Sequence, residues 1–300
     1  MVTSTGETSA LRQEPYPLEE IGLVRRTLAV RRAPADAPTA VFVHGLGGSS
    51  LNWTDQMHLF EGRFDGWAVD LGGFGFSPPP RDGDYSPMGH ARSVIELITE
   101  QVTGPVHLFG NSLGGAVAIN VAASRPDLVS SLTLISPALP SVYATRGNVH
   151  LPAIAIPGVG EKLMAKFAEM DAETQVRGSI GGGFADESRY PEIRFAEAIA
   201  QNEARRDFTY ASDAFLSSLR GLLKSFVDRG PQRPWKQVER IAAPTLFIYG
   251  RKDPLVDSRS AHRVTKHVRD AHVVVLPDTG HMAQMEHPEF VHAAWDRFFA

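Results

Sequence analysis

Cysteine is missing from the chain's 300 residues. Disulfides and Cys-ligated metal sites are therefore excluded. No run approaches the ~18 apolar residues that a membrane-spanning helix needs, so no stable membrane insertion is expected. Lys and Arg form no block, and a formal net charge of −4 argues against nucleic acid as a main partner. A nucleotide loop is missing too. No Gly-Lys-Ser/Thr follows Gly45, Gly47 and Gly48, and no G-x-G-x-x-G spans them. No metal and no cofactor is expected. Met1 to Gln13 is polar and lacks the basic start and apolar stretch of a secretory signal. It belongs to an expected flexible leader over residues 1–20. The chain reads as a cytoplasmic protein with a small-molecule substrate.

What is present is an ordinary globular balance. A hydrophobic fraction of 43% against 21% charged allows a sizeable core. Ile21 to Arg32 reads as an early strand or hairpin arm. Thr39 to Val43 suits a strand buried on both faces, ending in His44-Gly45-Leu46-Gly47-Gly48. Trp53 to Phe60 reads as a short helix, and Trp67 to Asp70 as a strand closed by the turn Leu71 to Gly75. Ser86 is placed to cap a helix to about Thr103, with Ala91, Val94, Ile95 and Ile98 at helical spacing. Leu132 to Ile135 is a further strand. This alternation implies an α/β fold with a doubly wound, mostly parallel sheet.

The rhythm breaks after Ser136-Pro137 and resumes at Thr245 to Gly250. Between them lie helical stretches, Glu161 to Met170, Pro191 to Arg206 and Ser212 to Asp228, punctuated by Gly181-Gly182-Gly183. Residues 138–238 are therefore expected to form a helical cap, inserted into a core built from 21–137 and 239–300. The Leu151 to Val159 stretch reads as core of that insertion, with pocket lining as its alternative. A helix near Ser258 to Val268, the strand His272 to Leu276 and a helix near Pro288 to Phe299 close the chain.

Chemistry concentrates around Gly110-Asn111-Ser112-Leu113-Gly114. The apolar run Pro105 to Phe109 leads in and the helix-like run Ala116 to Ala123 leads out, the context a G-x-S-x-G nucleophile elbow requires. A serine hydroxyl needs an imidazole to take its proton and an acid to orient that imidazole. Asp253 falls just past one strand's carboxyl end and His281 just past the next, where functional groups of parallel sheets collect. Asp257 and Asp278 are rivals for the acid.

Together, His44-Gly45-Leu46-Gly47, the Asp70 to Ser77 segment, the elbow, Gly250-Arg251-Lys252-Asp253 and Gly280-His281 resemble the α/β-hydrolase family, from about Leu23 to Phe299. The resemblance implies Ser112 as nucleophile, His281 as general base and then acid, and Asp253 as its orienter. It also implies an oxyanion hole from the backbone N–H groups of Leu46 and Leu113. His44, Gly45, Asn111, Arg194 and Met282 are candidates for the substrate pocket, although His44 also reads as structural and Arg194 as a solvated helix charge. Cleavage of a small or medium carboxylic ester, thioester or lactone is the default reaction. Gly110 to Gly115 and Gly280 to His287 also resemble the carbon–carbon bond hydrolases of aromatic meta-cleavage pathways, which act on vinylogous 1,5-diketones. A cap arginine assists in those enzymes, and Arg194 stands in a similar helical context. Two departures are Leu46, where that family has proline in a Gly-Pro-Gly-type loop, and Met282, where it has an aromatic residue. A third reading is a receptor of the same fold that binds a small molecule without turning it over.

Overall fold

The central strands form where the sequence is apolar on both faces. Leu246 and Ile248 point to one core, and Phe247 and Tyr249 to the other, so the continuous run Thr245–Gly250 is a strand buried on both sides. In this computed structural model, which describes residues 11–300 except 142, 144 and 146, eight strands make one sheet, of which the edge strand Leu18–Gly22 is largely exposed. They are β1 (Leu18–Gly22), β2 (Thr27–Ala33), β3 (Thr39–Val43), β4 (Asp65–Val69), β5 (Val106–Asn111), β6 (Val129–Ile135), β7 (Thr245–Gly250) and β8 (Ala271–Leu276). Their order is β1-β2-β4-β3-β5-β6-β7-β8. β2 runs antiparallel to both β1 and β4; β4, β3, β5, β6, β7 and β8 are mutually parallel.

Helices cover both faces. α1 (Thr54–Leu59) packs on one, with Met57 against the same core as Phe42 and Phe109. The other carries α2 (Pro87–Gln101), capped by the Ser86 hydroxyl on the Gly89 N–H, and α3 (Leu113–Ser124). Their Ala91, Val94, Leu97, Val117 and Val121 meet Val41, Val43 and Leu108.

Between β6 and β7 the described residues form helices and no strand: α4 (Leu151–Ile154), α5 (Val159–Ala168), α6 (Ala172–Gly181), α7 (Glu192–Ala204), α8 (Ala211–Val227) and α9 (Pro234–Val238). After β7 come α10 (Ala261–Val264), α11 (Ala283–Glu286) and α12 (Pro288–Phe299), whose Val291 and Trp295 return to the α1 side of the sheet.

Several expectations need correction. Of the leader, residues 1–10 lie outside the described residues; within 11–20 Tyr16 is buried and β1 begins at Leu18, while most of the other side chains are exposed. α6 was not expected, because Gly178 and Gly181 weaken its helical signal; Asp171 caps it and buried Val176 and Ile180 hold it. α9 lies within the span assigned to the insertion, yet Val238 sits in the main core, so the core resumes before residue 239. The helix expected to Val268 ends at Val264. The Leu151 to Val159 stretch is not core; Ile156 is 51% exposed and Val159 42%.

Candidate active site

The elbow sits where β5 meets α3. Ser112 has φ 54° and ψ −116°, a left-handed conformation that costs a non-glycine residue energy. Its N–H donates to the Ile135 carbonyl (3.0 Å) and its carbonyl accepts from Ala116 and Ala138, so surrounding backbone holds the strained residue in place. Strand, turn and helix approach so closely that a Cβ on Gly114 would lie 2.2 Å from the Val43 oxygen, and one on Gly110 would lie 2.4 Å from the Gly114 oxygen. Only glycine fits either position.

Two more loops converge on Ser112. The one after β3 is close enough that a Cβ on Gly45 would be 3.2 Å from the Ser112 Cβ. Leu46 from this loop shares a small apolar cluster with Leu113, Ala116 and Leu222. Leu113 opens α3, so its N–H has no acceptor within the helix. The other loop, after β8, is tied in by Asn111, whose Nδ2 donates to the carbonyls of His281 (3.1 Å) and Ile135 (3.1 Å).

His281 and Asp253 are joined. His281 Nδ1 lies 2.8 Å from Asp253 Oδ2, and both side chains are nearly sealed from solvent, at 6% and 0% exposure. A carboxylate only accepts, so the proton sits on Nδ1 and Nε2 is left as the acceptor. Nε2 is buried and makes no hydrogen bond among the described residues. Asp253 Oδ1 accepts from the N–H groups of Leu255 (2.8 Å) and Val256 (2.9 Å), which fix the carboxylate's orientation. The rival acids are engaged elsewhere: Asp257 with Arg259, and exposed Asp278 with Lys252.

The other pocket candidates are placed differently. His44 is fully buried beneath its loop, with Nδ1 donating to the Gly45 carbonyl (2.7 Å) and Nε2 accepting from the Leu71 N–H (3.0 Å). Burial pushes its pKa down despite the nearby Asp70, so it stays a neutral strut and offers substrate nothing. Asn111 likewise spends its amide on backbone. Arg194 is neither a pocket residue nor a solvated charge. It is 4% exposed, and its three nitrogens are taken by Asp55 (2.8 Å), Glu197 (2.7 Å) and the Arg12 carbonyl (2.6 Å). The partners Arg12 and Asp55 are remote in sequence, which is why a local reading misses them. Met282 lies against α6 residues Val176 and Ile180 and against Phe184.

Glu286 was not foreseen. It is a fully buried carboxylate that accepts hydrogen bonds from both the His281 loop and the segment between α6 and α7. The available signal was a lone acidic residue in the otherwise apolar or neutral turn Ala283–Glu286, five positions after His281. A cleft of 640 Å³ opens beside α3, lined by Ser86, Ala116, Asn120, Leu139 and Lys224. Neither Ser112 nor His281 lines it. No helix among the described residues is long and apolar enough to cross a membrane.

Comparison with known proteins places the chain in a family. A family model described as alpha/beta hydrolase fold matches residues 38–288. An esterase of Mycobacterium tuberculosis, Rv0045c, is 26% identical over 91% of this chain and 86% of its own length. A 2-hydroxy-6-oxononadienedioate/2-hydroxy-6-oxononatrienedioate hydrolase of Paraburkholderia xenovorans is 28% identical over 84% of this chain and 83% of its own. Among solved structures, Cfl2 of Burkholderia cenocepacia superposes with a TM-score of 0.80 at 19% identity, covering 96% of this chain and 97% of that one. That last likeness concerns the fold alone.

Proposed function

The chain belongs to the α/β-hydrolase family, and from that premise we propose that it is a serine hydrolase acting on a small or medium carboxylic ester, thioester or lactone through an acyl-enzyme on Ser112. The observation that carries the reading is the His281–Asp253 pair, which leaves one imidazole nitrogen bare and buried on a loop hydrogen-bonded to Asn111 of the elbow.

The steps follow from that arrangement. His281 Nε2 takes the Ser112 hydroxyl proton as Oγ attacks the substrate carbonyl carbon. Negative charge gathers on the carbonyl oxygen, where the N–H groups of Leu113 and Leu46 are offered as donors; one such donor is worth about 100- to 1,000-fold in rate. The tetrahedral species collapses as His281 hands its proton to the leaving oxygen or sulfur. Water then repeats the attack on the acyl-enzyme, with the same imidazole as base. Asp253 keeps the tautomer correct throughout and steadies the imidazolium. The helices between β6 and β7 act as a cap that shapes the acyl pocket.

Carbon–carbon cleavage is the second reading, favoured by the likeness to the Paraburkholderia hydrolase. It loses the arginine it leaned on, because Arg194 is already bound to Asp55 and Glu197. Hydrolysis of p-nitrophenyl esters from acetate to palmitate, with Ser112→Ala alongside, separates the two. Ser112-dependent turnover with a chain-length optimum is expected. Absent turnover by folded protein that still cleaves a meta-cleavage product would favour the second reading. Tight ligand binding without turnover or fluorophosphonate labelling would favour a receptor.

A further inference from the structure

One carboxylate ties the segment between α6 and α7 to the loop that carries His281. Glu286 Oε2 accepts from the N–H groups of Gly280 (2.7 Å) and Ala185 (3.2 Å). Its Oε1 accepts from the Asp186 N–H (3.1 Å) and from Arg189 Nη1 (2.8 Å). An ion buried this completely is costly unless its lone pairs are met, and here four donors meet them.

What those donors belong to gives the carboxylate its meaning. Gly280 immediately precedes His281 in the chain. The His281 N–H in turn donates to the Gly183 carbonyl (2.6 Å), and Arg189 Nη1 reaches the Asp278 carbonyl (2.5 Å). The Met282 side chain lies against Gly183, its methyl group where a Cβ would stand. The backbone of the His281 loop is thus gripped by the 183–189 segment, and the Glu286 side chain accepts from both.

We propose that Glu286 is a positioning residue for His281, fixing the loop that carries the imidazole and coupling its place to that of the 183–189 segment. The proposal rests on His281 being the general base. A one-ångström displacement of such a group costs on the order of 100-fold, without any contact between the mutated residue and substrate.

Glu286→Gln is the informative change. Each oxygen accepts from two donors, so whichever way the amide turns, its NH₂ faces two N–H donors. In protein verified as folded by circular dichroism, kcat and the rate of fluorophosphonate labelling should both fall by about 10- to 100-fold. KM for a short ester should stay within about threefold, since no substrate contact is removed. Should Glu286→Gln not fold, Glu286→Asp, one methylene short of spanning both loops, should show the same kcat-selective loss. Folded Glu286→Gln or Glu286→Asp with lower thermal stability but kcat and labelling within about twofold of the parent would overturn the proposal. A rise in KM alone would overturn it too. Labelling that persists in Ser112→Ala would instead show that the nucleophile is wrongly assigned, and both readings would fall.

Discussion

Asp253→Asn puts the relay to a test whose outcome the surrounding hydrogen bonds dictate. The two side chains have nearly the same shape, so packing is preserved. Oδ1 of Asp253 accepts from the N–H groups of Leu255 and Val256, and only the oxygen of an asparagine can keep those two bonds. The NH₂ is thereby forced toward His281 Nδ1, at the position Oδ2 now holds 2.8 Å away. A donor there requires Nδ1 to accept, which moves the imidazole proton to Nε2. That nitrogen then carries a proton and cannot take the one from Ser112. The wrong tautomer costs about 10⁴-fold in kcat in enzymes of this mechanism, equivalent to ~5.5 kcal/mol of barrier. Stability should change by less than about 1 kcal/mol, because the hydrogen-bond count is conserved. The assay is hydrolysis of a p-nitrophenyl ester, with urea unfolding as the control. Asp257→Asn and Asp278→Asn, whose carboxylates pair with Arg259 and Lys252, should stay within about threefold of the parent. An Asp253→Asn protein that keeps a tenth of its activity, or a large loss in either rival, would refute the assignment.

Two further expectations concern the scaffold. Arg194→Ala should destabilise the protein by about 3 kcal/mol in urea unfolding, because it leaves the part-buried Asp55 and Glu197 carboxylates without their shared buried cation. An unchanged unfolding midpoint with selective loss of diketone cleavage would restore Arg194 to the substrate site. Acid should weaken the fold through His90, which is buried against Ser218 and whose pKa burial pushes down from 6.5 to about 3. Below pH 6.5 the unfolded chain takes up a proton that the folded one refuses. Stability is therefore complete above that point and declines as pH falls toward 3, by roughly 2 kcal/mol between pH 7 and pH 5. His90→Gln should lose less on the same acidification; equal losses would contradict this.

Local pattern carried much of the fold. Thr39–Val43 is a strand with the bounds its apolar run marks, and Ser86 caps α2 as its position suggests. The parallel sheet was legible because central strands such as Thr39–Val43 and Thr245–Gly250 are continuous apolar runs, each leading into a loop with glycine. What stayed hidden depends on partners distant in sequence. The burial of Tyr16, the pairing of Leu18–Gly22 with β2 and the insertion of Val238 into the core leave no local signature. Arg194 looks solvated until Asp55, 139 positions away, is brought beside it. Glu286 looks like an ordinary helix acid until Ala185 and Asp186, about 100 positions away, donate to it. At the candidate site itself, motif order brought Ser112, Asp253 and His281 to notice. The Gly250 to Asp253 resemblance already pointed to Asp253 over Asp257 and Asp278 as His281's partner; what the structure adds is the distance, 2.8 Å from Asp253 Oδ2 to His281 Nδ1.

The most direct test of the central claim is to treat the protein with a fluorophosphonate and map the adduct by peptide mass spectrometry. The expected result is a single adduct on the peptide containing Ser112, formed slowly or not at all in His281→Ala. An adduct on another residue, or none in correctly folded protein, would contradict a Ser112–His281–Asp253 mechanism.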